Sequence, residues 1–118
     1  LHEELGIPLN MKPLKYYINL GSDFNFIKYI CKNSQYIDMN GSCWAACHKN
    51  RMDILKFCIE QGGFDLLEKG CVIQACMWNN LNMLEYLIEI DCPWDKNDII
   101  NTHGYKDNKK ISDLINSL

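Results

Sequence analysis

Two adjacent stretches of the chain repeat each other: GSCWAACHKNRMDILKFCIE at residues 41–60 and GCVIQACMWNNLNMLEYLIE at residues 70–89. Pairing each residue of the first stretch with the residue 29 positions later gives seven identities. They are Gly41/Gly70, Ala46/Ala75, Cys47/Cys76, Asn50/Asn79, Leu55/Leu84, Ile59/Ile88 and Glu60/Glu89. Self-similarity at a fixed period of this size is typical of proteins built from stacked repeats. The sequence therefore predicts a scaffold made of repeats, a kind of protein that binds rather than catalyses.

Each repeated stretch has the pattern of two helices joined by a turn. We expect helices over Ser42–Lys49 and Met52–Gln61 in one unit, and over Cys71–Trp78 and Leu81–Ile90 in the next. The second helix of each unit carries apolar residues at helical spacing, which predicts a stripe covered by the first helix. The two stripes are Met52, Leu55, Cys58 and Ile59, and Leu81, Leu84, Leu87 and Ile88.

Weaker copies of the unit lie on both sides. Short helices are expected over Pro13–Leu20 and Phe24–Lys32 before the repeat, and over Asp98–His103 and Asn108–Leu118 after it. The last of these helices has polar residues such as Lys109 where the earlier units are apolar. A polar outer helix is expected of a terminal capping repeat, because nothing stacks on it.

We therefore treat residues 1–118 as a single all-α domain of five parts. Residues 1–10 are expected to be the tail of a preceding repeat, since GIPLN at residues 6–10 matches DCPWD at residues 91–95. Repeats then follow over residues 11–38, 39–67 and 68–95, and the capping repeat over residues 96–118.

Composition excludes several classes of function. Hydrophobic residues make up 47% of the chain, enough for a core, and the net charge of −3 does not favour nucleic acid as a partner. No apolar run approaches the roughly 18 residues of a membrane span. The 7 cysteines are an odd number and recur at equivalent repeat positions, which predicts free thiols in a reducing, intracellular compartment.

Cysteine and histidine side chains raise the possibility of a metal site. Cys43, Cys47 and His48, together with Cys71 and Cys76, are candidate zinc ligands. Structural zinc usually takes closely spaced pairs and four ligands, however, and Cys47 and Cys76 occupy the same repeat slot as small packing residues. We therefore expect core packing and no metal, with a zinc- or redox-responsive cysteine module as the alternative.

Nothing in the sequence has the pattern of a catalytic site. His2, His48 and His103 are scattered, and none has a Ser, Cys or Asp at a spacing that indicates a nucleophile and its base. No glycine-rich loop is followed by Lys-Ser or Lys-Thr, so a phosphate cradle is absent from the sequence. We expect no enzyme and no cofactor.

The helix–turn–helix units resemble ankyrin repeats. The segment NNLNML at residues 79–84 is similar to the G-H-L-E-V-V segment of that family, and KPLK at residues 12–15 is similar to its T-P-L-H opening. The period of 28 to 29 residues is shorter than the usual 33, and the difference falls in connectors such as Gly62–Lys69. The sequence is similar in this respect to the abbreviated ankyrin repeats of amoebal giant viruses and some protists.

The resemblance implies a helix–turn–helix solenoid with shortened connectors that works as a protein–protein interaction scaffold or adaptor. It implies another protein as partner. From the net charge, the length of the apolar runs and the free cysteines we expect no nucleic-acid or membrane partner and a monomer in the cytoplasm, which is the host cytoplasm for a viral protein. By analogy with the family, the substrate adaptor of a ubiquitin ligase is a further alternative.

The partner is expected to dock along the ends of the first helices. In ankyrin repeats the residues just before the turn point towards ligands, and stacking aligns them into one row. The candidate residues in this sequence are His48, Lys49, Met77, Trp78, Tyr105 and Lys106. Trp78 is expected to be an exposed anchor because Trp is favoured at interfaces, whereas Trp44 is expected to pack inside.

Overall fold

A computed structural model describes residues 12–34, 37–102 and 108–118. These residues form eight α-helices and one short 3₁₀ helix, and none of them lies in a β-strand. The α-helices are α1 (Leu14–Asn19), α2 (Phe24–Asn33), α3 (Ser42–His48), α4 (Met52–Gly62), α5 (Lys69–Met77), α6 (Leu81–Glu89), α7 (Lys96–Ile100) and α8 (Lys109–Asn116), and the 3₁₀ helix is Phe64–Leu66.

The helices form successive pairs that stack side by side. The first helices of the pairs form one continuous layer, in which α1 contacts α3, α3 contacts α5 and α5 contacts α7. The second helices lie outside this layer, with α4 against α3 and α6 against α5. The result is an elongated molecule of 51 × 23 × 19 Å. The expected all-α solenoid of helix–turn–helix units is therefore confirmed.

Burial of the second helices follows the predicted stripes in part. Cys58, Ile59 and Leu87 are buried as expected, whereas Met52, Leu81 and Ile88 are only half-buried. Ile54 and Met83, which lie outside the predicted stripes, are only 1% exposed. Leu55 and Leu84, at equivalent repeat positions, are completely buried, and so are the small residues Ala46 and Ala75 of the first helices. Burying apolar area from both layers is the main source of stability in such a stack, because each unit alone cannot cover its own stripe. The core is thus continuous from α1 to α8 through residues contributed by every helix.

The first helices all end in the same way where the structure describes their turns. Asn50 and Asn79 have φ angles of 53° and 56°, in the left-handed region, and Gly21 takes the same place after α1 with a φ of 80°. The next amide returns to the helix, with Arg51 N–H donating to Ala46 O at 2.8 Å and Asn80 N–H to Ala75 O at 2.9 Å. This Schellman arrangement explains the Asn50/Asn79 identity, since Asn tolerates the left-handed conformation better than other non-glycine residues.

The connectors between pairs are short and irregular. After Gly63, with a φ of 81°, the chain makes the single 3₁₀ turn and enters α5. The earlier connector returns across the stack, where Leu14 N–H donates to Asp38 O at 2.8 Å. A β-hairpin does not form at either place within the described residues. This agrees with the shortened connectors that the sequence predicted.

Three details differ from the sequence prediction. Gly41 precedes α3 with a left-handed φ of 77°, whereas Gly70 lies inside α5. The two glycines of this identical pair therefore have different structural roles. Helix α7 covers Lys96–Ile100 rather than Asp98–His103, because Asp95 accepts a capping hydrogen bond from Asn97 N–H and starts the helix earlier. The adjacent apolar residues Ile99 and Ile100 predict two inward-facing side chains in this helix, but only Ile99 is buried, and Ile100 is 38% exposed at the helix end. The division of the chain at residues 11, 39, 68 and 96 stays a prediction.

Candidate functional site

The ends of the four first helices define the surface of interest. The last helical residue and the C-cap residue are Asn19 and Leu20 in α1, His48 and Lys49 in α3, Met77 and Trp78 in α5, and Ile100 and Asn101 in α7. We call these eight residues the helix-end row. It contains four of the six predicted partner-binding residues, His48, Lys49, Met77 and Trp78. The other two, Tyr105 and Lys106, lie outside the described residues.

Apolar side chains in the helix-end row are unusually exposed. Leu20 is 64% exposed, Trp78 53%, Met77 39% and Ile100 38%. Large exposed apolar side chains that recur at equivalent positions mark interaction sites more often than scattered single ones do. The structure therefore places Met77 and Trp78 on the surface, and adds Leu20 and Ile100 to them.

The side chain of Gln74 organises the centre of the row. Its Oε1 lies 3.0 Å from Nε1 of Trp78, which donates, and 2.9 Å from Nδ1 of His48. Its Nε2 lies 3.8 Å from Sδ of Met77, a weak hydrogen bond. Gln74 is itself only 8% exposed. One buried carboxamide thus links α5 to α3 and contacts three of the four described candidate residues.

Aromatic packing fixes His48 between two tryptophans. Its ring stacks on that of Trp44 at a centroid distance of 5.2 Å and an interplanar angle of 6°, and meets Trp78 edge to face at 5.6 Å. His48 is therefore half-buried and held in place, although the sequence suggested an outward-facing side chain. Trp44 is also half-buried, with part of its ring packed and part on the surface.

Beyond Trp44 an open cleft of about 440 Å³ is formed by α1, the start of α3 and the residue that precedes α5. Its walls carry an amine, a carboxylate and two carboxamides around the indole, and its lining residues are Lys15, Asn19, Asn40, Gly41, Trp44 and Glu68. Because Asn19 belongs to both, the cleft continues the helix-end row towards α1. The combined surface is an apolar strip with polar edges, which is the usual anatomy of a protein interface.

The cysteines lie in the core rather than at this surface. Cys43, Cys47, Cys71 and Cys76 are fully buried, and all seven thiols are free. Among the residues that the structure describes, no group of three or more His, Cys, Asp or Glu side chains could hold a metal ion. The candidate zinc ligands Cys43, Cys47, His48, Cys71 and Cys76 are therefore not assembled into a site.

Burial changes the acidity of these thiols. It raises the pKa of Cys76 to about 12 and that of Cys58 to about 11, because a thiolate loses its hydration in the core. The neighbouring thiols of Cys47, Cys71 and Cys92 perturb one another: the side-chain interaction with Cys71 raises the pKa of Cys47 and of Cys92, and the same interaction lowers the pKa of Cys71. Solvent does not reach Cys71, which is 0% exposed, so this arrangement is part of the packing.

Sequence reasoning missed Gln74 as the organising residue. The position 29 residues earlier is Ala45, a small residue in a slot that packs against the neighbouring repeat. A long polar side chain in such a slot is the signal that could have identified Gln74, because a buried carboxamide needs hydrogen-bond partners. The partners themselves could not be read from the sequence, since His48 lies 26 residues away.

No helix in the described ranges is long and apolar enough to cross a membrane.

The pairs of antiparallel helices, stacked through their first helices and joined by short connectors, define a helical-repeat solenoid. Within it, residues 43–88 match the family model for ankyrin repeats (many copies). This part of the chain is therefore made of ankyrin repeats, as the resemblance of the sequence indicated. Comparisons with curated proteins and with solved structures give no significant match.

Proposed function

We propose that this protein is a non-enzymatic scaffold that binds another protein through the helix-end row. Ankyrin repeats generally mediate protein–protein interaction, which supports the general class of function. The observation that carries the proposal for this chain is the exposure of Met77 and Trp78 beside the buried Gln74. An indole held by a hydrogen bond while half of it faces solvent is pre-organised for contact, so little entropy is lost when a partner packs on it.

The charges around the row indicate what kind of segment would bind. Lys49 lies in the row next to His48, and Lys15 lines the adjoining cleft. Neither amine makes an ion pair within the described part of the chain. The partner chemistry that fits is an apolar side chain on Trp78 and Met77, with carboxylates on its flank near the amines.

Peptides selected from a random library displayed on phage test this surface directly. A selected peptide should bind the Trp78→Ala variant with an affinity at least about 2 kcal/mol weaker, as expected for an interface anchor. The matched control is Phe64→Ala, since Phe64 is an aromatic residue that is 63% exposed on the 3₁₀ turn, away from the row. If Phe64→Ala weakens binding as much as Trp78→Ala, or if neither does, the row is not the binding surface.

A second pair of variants tests the charge. Lys49→Glu should weaken the binding of a peptide that carries carboxylates. It should also reduce the salt dependence of the association, because a charge at the rim acts mainly through electrostatic steering. Lys110→Glu is the control, since Lys110 is exposed on α8 and its replacement by Glu makes the same change in net charge. Equal effects of both variants would show that only net charge matters, and the proposed acidic flank would be wrong.

The setting that fits best is a monomer in the cytoplasm. Seven free cysteines, six of them buried, suit a reducing compartment, where disulfides are rare. Nothing among the described residues favours the zinc- or redox-responsive module or the ubiquitin-ligase adaptor over a general interaction scaffold.

A further inference from the structure

The hydrogen bonds around Gln74 determine which atoms face a partner. The indole N–H of Trp78 can only donate, so the Gln74 atom 3.0 Å away from it must be the carboxamide oxygen. That same oxygen lies 2.9 Å from Nδ1 of His48. A carboxamide oxygen only accepts, and therefore Nδ1 of His48 must carry a hydrogen.

The position of that hydrogen decides the character of the other ring nitrogen. A neutral imidazole has one N–H, so with Nδ1 protonated its Nε2 holds a lone pair and accepts. Nε2 makes no hydrogen bond within the described residues, and it is not one of the buried side-chain atoms that lack a partner. At least part of Nε2 is thus accessible to solvent, beside the indole of Trp44 and the exposed Trp78.

We propose that Nε2 of His48 is a hydrogen-bond acceptor in the helix-end row, and that Gln74 is the positioning residue that keeps it one. This inference rests on the proposed function of the row as a binding surface, and it adds a requirement on the partner. The bound segment supplies an uncharged donor, such as a hydroxyl, a carboxamide N–H or a backbone N–H, next to the apolar group that covers Trp78. Lys49 beside His48 disfavours a cationic donor.

The geometry explains why a buried glutamine suits this position. An apolar residue at position 74 would leave the indole N–H of Trp78 and Nδ1 of His48 without their shared acceptor. Either nitrogen of His48 could then carry the hydrogen, and the Trp78 side chain could rotate. The single oxygen of Gln74 therefore fixes both the tautomer of His48 and the orientation of the Trp78 side chain.

Nitrogen-15 NMR of the histidine rings in the free protein tests the first part. At about pH 8 the two ring nitrogens of His48 should give separate signals, with Nδ1 protonated and Nε2 unprotonated. In Gln74→Leu the populations should shift towards the Nε2–H form, and the indole N–H of Trp78 should exchange faster with solvent. A wild-type spectrum dominated by the Nε2–H form overturns the proposal, whether or not Gln74→Leu folds.

Binding to selected peptides tests the second part. His48→Asn keeps an N–H near Nδ1 to donate to Gln74 but places no atom at Nε2. A selected peptide should therefore bind His48→Asn about two- to tenfold more weakly, the usual range for one uncharged hydrogen bond. Peptides that need Trp78 but bind wild type and His48→Asn equally would overturn this inference and leave the proposed function intact. Peptides that depend on neither residue would overturn both.

Discussion

The indole of Trp44 lies directly on the backbone of Gly70, across the boundary between two repeats. A Cβ atom added at Gly70 would come within 2.7 Å of Cδ1 and 3.2 Å of Nε1 of Trp44. Trp44 is a rigid ring that also stacks on His48, so it cannot move aside without disturbing the helix-end row. Gly70 therefore sets how closely α5 approaches α3, and with it the position of the tryptophan–histidine stack.

Replacing Gly70 by Ala should destabilise the protein, against the trend for helices. Gly→Ala inside a helix normally stabilises by up to about 1 kcal/mol, but the clash with Trp44 should cost about 1–3 kcal/mol. We expect a net loss measured by urea unfolding. In a Trp44→Ala background the same substitution should become stabilising, because the clash is gone. A gain in the wild-type background would show that Trp44 yields easily.

Asn79 should tolerate glycine and resist alanine. Its φ of 56° lies in the left-handed region, which costs most residues roughly 1–2 kcal/mol. Asn adopts this region more readily than Ala because its short polar side chain can hydrogen-bond locally, and glycine adopts it without the steric cost. Asn79→Ala should therefore lower the free energy of unfolding by about 1 kcal/mol, while Asn79→Gly should leave it nearly unchanged. The test is urea unfolding of both variants. The same two substitutions at Asn50, which lies at the equivalent turn, provide an independent repeat of the test. Equal effects of Ala and Gly would contradict the structural reason given for Asn at the repeated turn.

The repeat pattern predicted the fold because its cause is local. Apolar residues at helical spacing and a left-handed Asn after α3 and after α5 are properties of adjacent residues, and both are visible in the identities at 29-residue spacing. The exposure of Trp78 was predicted in the same way, from its position just before a turn.

Contacts between repeats could not be predicted in this way. Gln74 bonds to His48, and Gly70 accommodates Trp44, only because of how closely one helix pair approaches the next. That distance depends on side chains from two repeats at once. The periodic pattern compares single residues at equivalent positions and takes no account of such pairs. It therefore presents Gly41 and Gly70 as equivalent, although their roles differ.

Leu84 should be far more important for stability than Lys110. Leu84 is completely buried between the two helix layers, so Leu84→Ala should cost about 2–5 kcal/mol, the range for emptying a core leucine site. Lys110 is exposed on the last helix, and Lys110→Ala should change stability by no more than about 0.5 kcal/mol. Chemical denaturation of the two variants measures this. A large effect of Lys110→Ala would contradict the solvent-facing cap.

Cys76 should make stability fall at high pH. In the folded protein burial raises its pKa from 9.0 to about 12, whereas the unfolded thiol ionises near the ordinary value. Its contribution is therefore complete below pH 9.0 and is lost as the pH rises towards about 12. The difference in unfolding free energy between wild type and Cys76→Ala should be smaller at about pH 10.5 than at about pH 8. A constant difference would contradict the burial of a neutral thiol.

Trp78 should contribute modestly to stability and mainly to binding. A fully buried tryptophan replaced by Ala costs about 3–5 kcal/mol, but Trp78 is 53% exposed, and its contacts within the described residues include the hydrogen bond to Gln74 and the edge contact with His48. Trp78→Ala should therefore lower the free energy of unfolding by about 1–2 kcal/mol with unchanged helical circular dichroism. Trp78→Phe keeps an aromatic ring and loses the N–H, so the difference between the two variants separates the hydrogen bond from the ring contact. A loss as large as that of Leu84→Ala would mean that Trp78 belongs to the core, and the helix-end row would lose its central anchor.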